Sequence, residues 1–509
     1  MSAKSMPESS SSLRDRLDAV FALMPEALAV ESRTGRASWG QLASAGDEID
    51  RALVAAGVEG DAPIGWVARN RVASVAAFSS LVRHGRMVVP LRPNLAPETF
   101  CDELRAQRLQ AVIADADDWR VPGAVAAARE AGSAGIVVTG ETSLTVAPVE
   151  GLDKVGSPPH RAPMPGYVLE RLTSGTTGAP KRIPVLENVL VPSLRSGEQR
   201  KGERDVEDAL ALKTSPALLF KPFSHAGGLF GLMLALYQAR PIVLFEKFVA
   251  EDWADAVRRY RPKSASLVPA MIRMIMDANV EPEWLKSLRA IRSGTAPLDP
   301  QMQVEFEERY GVPILVDYGA AEFIGGIAGW TLADHQAFSK TKRQSVGRPR
   351  ADVFLRVVSQ ESGEPLESGR IGILHIKCDR FDPDWIRTND LALIDADGFL
   401  FLHGRADDAI NRGGFKILPD EVAAVLRRYP GVADAAVVGA PDARLGQVPV
   451  AAIEMKSDEQ APDAAALEAF MRKHLAAYMI PTRFVMLPAL PRTASMKVSR
   501  PDLKALLGV

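Results

Sequence analysis

Apolar positions along this chain follow two alternating rhythms. Ala73–Val82 has the spacing of a helix, and Met87–Leu91 is a short apolar run that suits a buried strand. The alternation continues with a helix predicted over Pro97–Gln107 and strands over Ala111–Ala114 and Ile136–Val138. Helices interleaved with apolar strands predict parallel α/β layers. A looser, Pro-rich stretch, Ala147–Pro165, leads to a strand at Tyr167–Leu169. The second α/β run comprises helices at Ala226–Tyr237 and Ala250–Tyr260 and strands at Pro241–Phe245, Ser266–Val268 and Val312–Val316. Near residue 345 the rhythm becomes strand-only: Val353–Val357, Gly372–Ile376, Leu391–Ile394 and Phe399–Leu402, with Asp395-Ala396-Asp397-Gly398 as a tight hairpin turn. This predicts an antiparallel, barrel-like piece. A domain boundary is placed near Gly404. Beyond it come helices at Asp420–Arg428 and Ala464–Ala477 and strands at Ala433–Val438, Val448–Glu454 and Phe484–Leu487.

Length and composition narrow the class. A chain of 509 residues exceeds one hydrophobic core, and its 47% hydrophobic and 24% charged residues are those of a globular protein. A net charge of −2 favours neither nucleic acid nor an anionic membrane as partner. The basic cluster Arg195–Arg204 is interleaved with acids and reads as a solvated face. Two distant cysteines, Cys101 and Cys378, make neither a disulfide framework nor a metal cluster. Met1–Ser12 has no apolar core and is no secretory signal, and it is expected to fray. The longest apolar run, Ala226–Tyr237, is too short to span a bilayer. A cytoplasmic location and no integral membrane span are expected.

Chemistry concentrates in Leu172-Thr173-Ser174-Gly175-Thr176-Thr177-Gly178-Ala179-Pro180-Lys181. Four hydroxyl residues and two glycines fill Thr173–Gly178, so the backbone can turn N–H groups, hydroxyls and Lys181 towards phosphate oxygens. It is not a Walker A loop: Gly178 follows Gly175 by three, and Pro180 precedes the lysine. Asp317-Tyr318-Gly319-Ala320-Ala321-Glu322 follows a predicted strand, at the edge where open α/β sheets bind ligands, and a carboxylate there suits Mg²⁺. Asp390 offers two acceptors to a vicinal diol, or forms a turn. Gly404-Arg405-Ala406-Asp407 reads as a hinge or as an ordinary linker. Gly413-Gly414 lets a thin ligand pass close to backbone, or makes a tight turn. His225 lies near an acid pocket or starts a helix. Gly227, Gly228 and Gly294 lack bulk, which leaves room for a ring or a medium chain.

These segments, with Pro491-Arg492-Thr493-Ala494-Ser495-Met496-Lys497, resemble in order and spacing the adenylate-forming superfamily, and within it the acyl- and aryl-CoA synthetases. The resemblance implies an α/β fold. Residues 1–403 would form a large domain of two doubly wound α/β subdomains plus a distorted antiparallel β-barrel, and residues 404–509 a small mobile α+β domain. It implies an AMP-forming acid–CoA ligase using ATP, Mg²⁺ and coenzyme A on a small carboxylic acid, and admits a homodimer. Thr173, Ser174, Gly175, Thr176, Thr177, Gly178 and Lys181 would hold phosphates, with Thr176 also among the catalytic residues. Glu322 would ligate Mg²⁺ and Tyr318 stack on adenine. Asp317, Gly319, Ala320 and Ala321 would line the nucleotide with Gly294, Thr295 and Ala296. Asp390 would bind the ribose, Arg405 ribose and phosphate, and His225 would lie by the acid. Asp407 would be the hinge, and Gly413 and Gly414 would line the pantetheine tunnel. Lys497 would contact the carboxylate and α-phosphate, where a fixed cation suits the transition state.

Four residues depart from the family pattern: Ala321 for a Thr, Asn389 for a Gly, Met496 for a Gly, and Thr295. Asn tolerates positive φ, so the turn at Asn389 is expected to survive. The Asp with which amino-acid-activating relatives bind an ammonium group is missing, which argues against an amino-acid substrate. Two alternatives stay open: an adenylating enzyme that loads a carrier-protein thiol, and a non-catalytic nucleotide- or acyl-binding relative.

Overall fold

The structure, a computed structural model, describes residues 12–157, 159–173, 181–196, 210–319, 323, 325–378, 382–456, 459, 461–493 and 496–509. The predicted frayed segment up to residue 11, most of the basic cluster, residues 174–180 and residues 320–322 lie outside the described residues; Ser12, expected to fray, instead caps the helix Leu13–Leu23. The chain divides into two compact units. The first comprises Met1–Ser266, Asp277–Arg289 and Ala321–Gly325, and the second Leu267–Met276, Ala290–Ala320 and Gly326–Val509.

The first unit is built on a seven-stranded sheet in the order Thr145–Pro148, Ala134–Thr139, Ala111–Ala114, Ile64–Val67, Val88–Leu91, Tyr167–Thr173, Lys181–Leu186. The inner five strands are parallel and the two edges antiparallel. Three central strands are buried at every position, as parallel strands covered on both faces must be. The helix Val72–Arg83 is fixed to its neighbouring strand by Trp66, whose ring meets Phe78 at 4.9 Å and whose Nε1 donates to the Ser74 carbonyl. A second sheet joins Ala217–Leu219, Ile242–Leu244 and Leu28–Glu31 in parallel, with Arg36–Ser38 antiparallel at one edge. Helices Pro97–Gln107, Ala226–Tyr237 and Ala250–Tyr260 have the bounds their periodicity predicts.

The second unit contains the parallel pair Ala290–Ser293 and Ile314–Tyr318, continued antiparallel by Ala328–Gly329 and Arg348–Pro349. The strand-only region is an antiparallel sheet of four successive strands, Val353–Val358, Gly372–Cys378, Asp382–Ile394 and Leu400–Arg405. Asp395 caps the last hairpin turn by accepting the Asp397 and Phe399 N–H groups at 2.9 Å each. The C-terminal sheet centres on Val432–Asp442 and Gly446–Met455, with Arg483–Leu487 parallel to the latter. Its apolar core includes Val422, Leu426, Val437, Ile453, Leu467 and Met471.

Three expectations shift. The strand predicted at 266–268 is Ser264–Leu267, because Pro269 opens the helix Pro269–Asp277. The helix predicted over 464–477 stops at Arg472; the chain then tightens into short turns that bring Leu475 and Met479 to the core. The strand predicted at 391–394 starts at Asp382, since pairing continues through Ile386 with Ile376 and Arg387 with His375.

Both cysteines are free and buried. Among the described residues no helix is long and apolar enough to cross a membrane.

Candidate active site

The predicted phosphate loop is the connection of an antiparallel hairpin. Tyr167–Thr173 pairs with Lys181–Leu186, and Thr173 stands opposite Lys181. Ser174, Gly175, Thr176, Thr177 and Gly178 lie outside the described residues. The base of the hairpin is a buried chain of alternating charges. Glu170, 1% exposed, accepts from Arg161 and stands 3.5 Å from Arg182. Arg182 donates to Glu103 at 2.5 Å and to the Pro90 carbonyl at 2.8 Å, while Arg92 reaches the other Glu103 oxygen at 3.2 Å. Burial lowers the proton affinity of Arg182, and the two carboxylates oppose that effect.

At the end of the strand Ile314–Tyr318, Asp317 is held by Arg292 at 3.0 and 3.1 Å and by Arg350 at 3.3 Å. The Tyr318 hydroxyl donates to Asp390 at 2.5 Å. Gly319 is exposed; Ala320, Ala321 and Glu322 lie outside the described residues. In the loop after Ser293, Gly294 sits where a Cβ would come within 2.9 Å of the Asp317 carbonyl. Thr295 follows at φ 74°, an outlier for a β-branched residue, with its hydroxyl oxygen buried. Ala296 continues this loop.

Asp390 is oriented from below: Thr388 donates its hydroxyl to the Leu374 carbonyl and accepts the Asp390 N–H at 3.1 Å. The expected left-handed turn at Asn389 is not formed. Asn389 lies inside the strand Asp382–Ile394 without positive φ, and the pairing to both neighbouring strands shifts register beside it, so an irregularity in the strand takes the place of the turn. Its side-chain amide instead donates to Asp407 at 3.2 Å. Arg405 grips the same Asp407 carboxylate with two bonds of 2.9 and 2.8 Å. That contact holds Asp407 below the usual carboxylate range, against burial, which acts in the opposite direction. Gly413 and Gly414, at φ 56° and 90°, form the two-residue turn between Ile410–Arg412 and Phe415–Ile417, where positive φ at both positions suits the strand twist.

Lys497 is carried on a small hairpin near the C-terminus. Thr493 N–H donates to the Lys497 carbonyl at 2.8 Å, Met496 N–H donates to the Thr493 carbonyl at 2.8 Å, and Arg492 bridges to Val498. Met496 adopts φ 64°, the conformation a glycine takes without strain. Burial lowers the pKa of Lys497 from its ordinary value; nearby Asp390 opposes this and Arg405 adds to it. The Lys497 ammonium is thus within electrostatic reach of both candidate ribose ligands.

His225 is the N-cap of the helix Ala226–Tyr237, its Nδ1 accepting the Gly227 N–H at 3.1 Å. Of the two glycines after it, Gly228 does not simply leave room: a Cβ there would stand 2.1 Å from the Pro222 carbonyl, so its small size serves backbone packing, as at Gly294, whereas a Cβ on Gly227 would meet nothing closer than 3.4 Å. Sequence reasoning gave no role to Arg182, or to Arg492, which ties the Lys497 hairpin to Asp434. Their partners lie 79 and 58 residues away, beyond any local pattern.

Comparison with known proteins agrees with these motifs. The AMP-binding enzyme family matches residues 17–379, and the AMP-binding enzyme C-terminal domain matches residues 421–497. An oxalate–CoA ligase of Saccharomyces cerevisiae is 29% identical over 64% of this chain, and the match spans 61% of that relative's length. An indoleacetate–CoA ligase of Aromatoleum aromaticum is 28% identical over 97% of this chain and 98% of its own. The o-succinylbenzoate CoA synthetase of Bacillus subtilis, solved with an acyl-adenylate intermediate, shares the fold with a TM-score of 0.77 at 24% identity, over 96% of this chain and 97% of its own. Residues 17–379 are well over half of the sequence, and the chain belongs to the AMP-binding enzyme family of adenylate-forming enzymes.

Proposed function

We propose that this protein is an AMP-forming acid–CoA ligase acting on a small carboxylic acid. In the first half-reaction a carboxylate oxygen attacks the α-phosphorus of ATP, forming the acyl-adenylate and releasing pyrophosphate. In the second, the CoA sulfur attacks the acyl carbon and AMP leaves. The observation that carries the reading is Lys497, a partly buried cation within electrostatic reach of Asp390 and Arg405, on the matched C-terminal domain. A fixed positive charge there suits the crowding of two anions as carboxylate meets phosphate.

The other assignments follow from that reading. Thr173 to Gly178 and Lys181 hold phosphates; Tyr318 and the loop Gly294–Ala296 line the base; Asp390 and Arg405 take the ribose; Gly413 and Gly414 admit pantetheine. His225 lies by the acid. The boundary between the large and small domains falls at residues 403 and 404, with Asp407 as hinge. Magnesium shields the phosphates when bound. An ion that arrives on ATP phosphates needs only one or two protein carboxylates, a role assigned to Glu322. Among the described residues no group of three metal-binding side chains is present.

The test is AMP release from ATP over a panel of aliphatic, dicarboxylic, aromatic and polycyclic acids, with and without CoA. Release that requires both an acid and CoA supports the ligase. Pyrophosphate exchange with no CoA dependence favours a carrier-protein acceptor, and ATP binding without turnover on any acid overturns catalysis. Lys497→Ala is expected to lower adenylation about 10²-fold or more while sparing thioester formation from supplied acyl-AMP, judged from the loss of one preorganised charge-stabilising donor. Equal losses in both halves would remove the assigned role of the lysine.

A further inference from the structure

The hairpin that carries Lys497 has an unfavourable element at its tip and one strong tie at its base. Met496, at φ 64° in the left-handed region, opposes the turn, because its Cβ crowds the backbone there. Arg492 offsets this from two directions. Its Nη1 donates to the Met496 carbonyl at 3.3 Å, at the strained residue itself. Its Nη2 donates to Asp434 at 2.8 Å and stands 3.5 Å from Glu454. Asp434 is in turn fixed by Arg427 at 2.7 Å, and Glu454 accepts the Leu490 N–H at 2.9 Å, just ahead of the hairpin. Asp434 and Glu454 stand opposite each other on the paired strands Val432–Asp442 and Gly446–Met455 of the C-terminal sheet, so the tie runs from sheet to hairpin tip.

We propose that Arg492 is a positioning residue for adenylation: it holds the strained Met496 turn, and so the Lys497 ammonium, in register with Asp390. The inference rests on the proposed role of Lys497 and adds a residue that touches neither substrate. A guanidinium is required because it bonds a carbonyl and a carboxylate at once from a planar fork, which neither a neutral side chain nor a single ammonium reproduces.

The experiment compares Arg492→Met, Arg492→Lys and Lys497→Ala with the unaltered protein. Adenylation is read by pyrophosphate exchange, and thioester formation from supplied acyl-AMP. A second readout needs no acid: competitive acetic anhydride labelling across pH, with peptide mass spectrometry, gives the apparent pKa of Lys497. Arg492→Met should lower the adenylation rate constant about 10-fold with little change in KM for ATP, and leave thioester formation within about twofold. The Lys497 pKa should rise towards that of a solvated lysine as the hairpin loosens. Arg492→Lys should recover part of both effects. Equal losses in both half-reactions would make Arg492 a folding residue and overturn the proposal. So would an Arg492→Met variant with unchanged adenylation and unchanged labelling, provided Lys497→Ala still loses adenylation. If Lys497→Ala adenylates normally, the reading of the lysine itself fails, and the inference falls with it.

Discussion

Two hairpins carry the two lysines singled out by the motifs, and they are anchored differently. Lys181 starts a strand whose neighbour, Arg182, has its side chain 15% exposed between those of Glu103 and Glu170, whose side chains are exposed 7% and 2%. Lys497 ends a hairpin whose anchor, Arg492, is 22% exposed between Asp434 and Glu454, exposed 21% and 24%. Each uses one arginine between two carboxylates. Depth changes what the arginine does. In the first unit its removal leaves two buried carboxylates with one arginine each, Arg92 at Glu103 and Arg161 at Glu170, so the contact is bound up with folding. In the second, water can replace part of the lost contact, so the same design can govern position without governing stability.

This contrast can be broken most directly at Arg182. Arg182→Met should destabilise the protein by about 3–5 kcal/mol, the usual consequence of removing one partner from a buried ion network. Arg492→Met should cost only about 1 kcal/mol, as for a partly exposed pair. Urea unfolding followed by tryptophan fluorescence measures both, and similar losses at the two sites would erase the distinction. Acid unfolding sharpens it with a third network. Burial raises the Glu307 pKa, but His335, Arg343 and the Ile314 N–H outweigh it and hold it at about 2. Its folded pKa lies below its unfolded value, so its stabilisation is present above roughly pH 4.5 and disappears as pH falls through about 2. The shift corresponds to at most roughly 3 kcal/mol. Glu307→Gln should flatten that part of the pH–stability curve, and an unchanged slope would remove Glu307 from the account. The smallest effect is expected at Met496→Gly. Relief of the positive φ should offset the greater chain entropy of glycine and raise stability by up to about 1 kcal/mol, seen as a small rise in Tm. A clear fall in Tm would mean that the methionine side chain packs more than its backbone strains.

Legibility followed the range of the interactions. Pro97–Gln107, Ala226–Tyr237 and Ala250–Tyr260 could be bounded from sequence because apolar periodicity, an N-terminal proline or a tight turn marks their ends. Two of the three central parallel strands, Val88–Leu91 and Ala111–Ala114, are legible as short apolar runs; Ile64–Val67, interrupted by Gly65, is not. Asp382–Ile394 was seen only in its last third, since its earlier half alternates charge with Trp385 and Ile386 and pairs through partners supplied by Gly372–Cys378. At the site, Lys497, Asp390 and Arg405 were found by motif, and the structure brings them within electrostatic reach of one another. At Asn389 a local tolerance of positive φ predicts a turn, but the long strand Asp382–Ile394 decides the backbone there. Its bond to Asp407 depends on a residue 18 positions later. Arg492 stood in plain view in its motif, but nothing near it in sequence identifies Asp434 as its partner.

The two cysteines give the molecule a pair of built-in clocks. Cys101 is 5% exposed in the first unit and Cys378 is 1% exposed in the second. Alkylation needs an accessible thiolate, so each should react only when its surroundings open. The modification rates of the two peptides therefore time the opening of each unit separately, in one sample of unlabelled native enzyme.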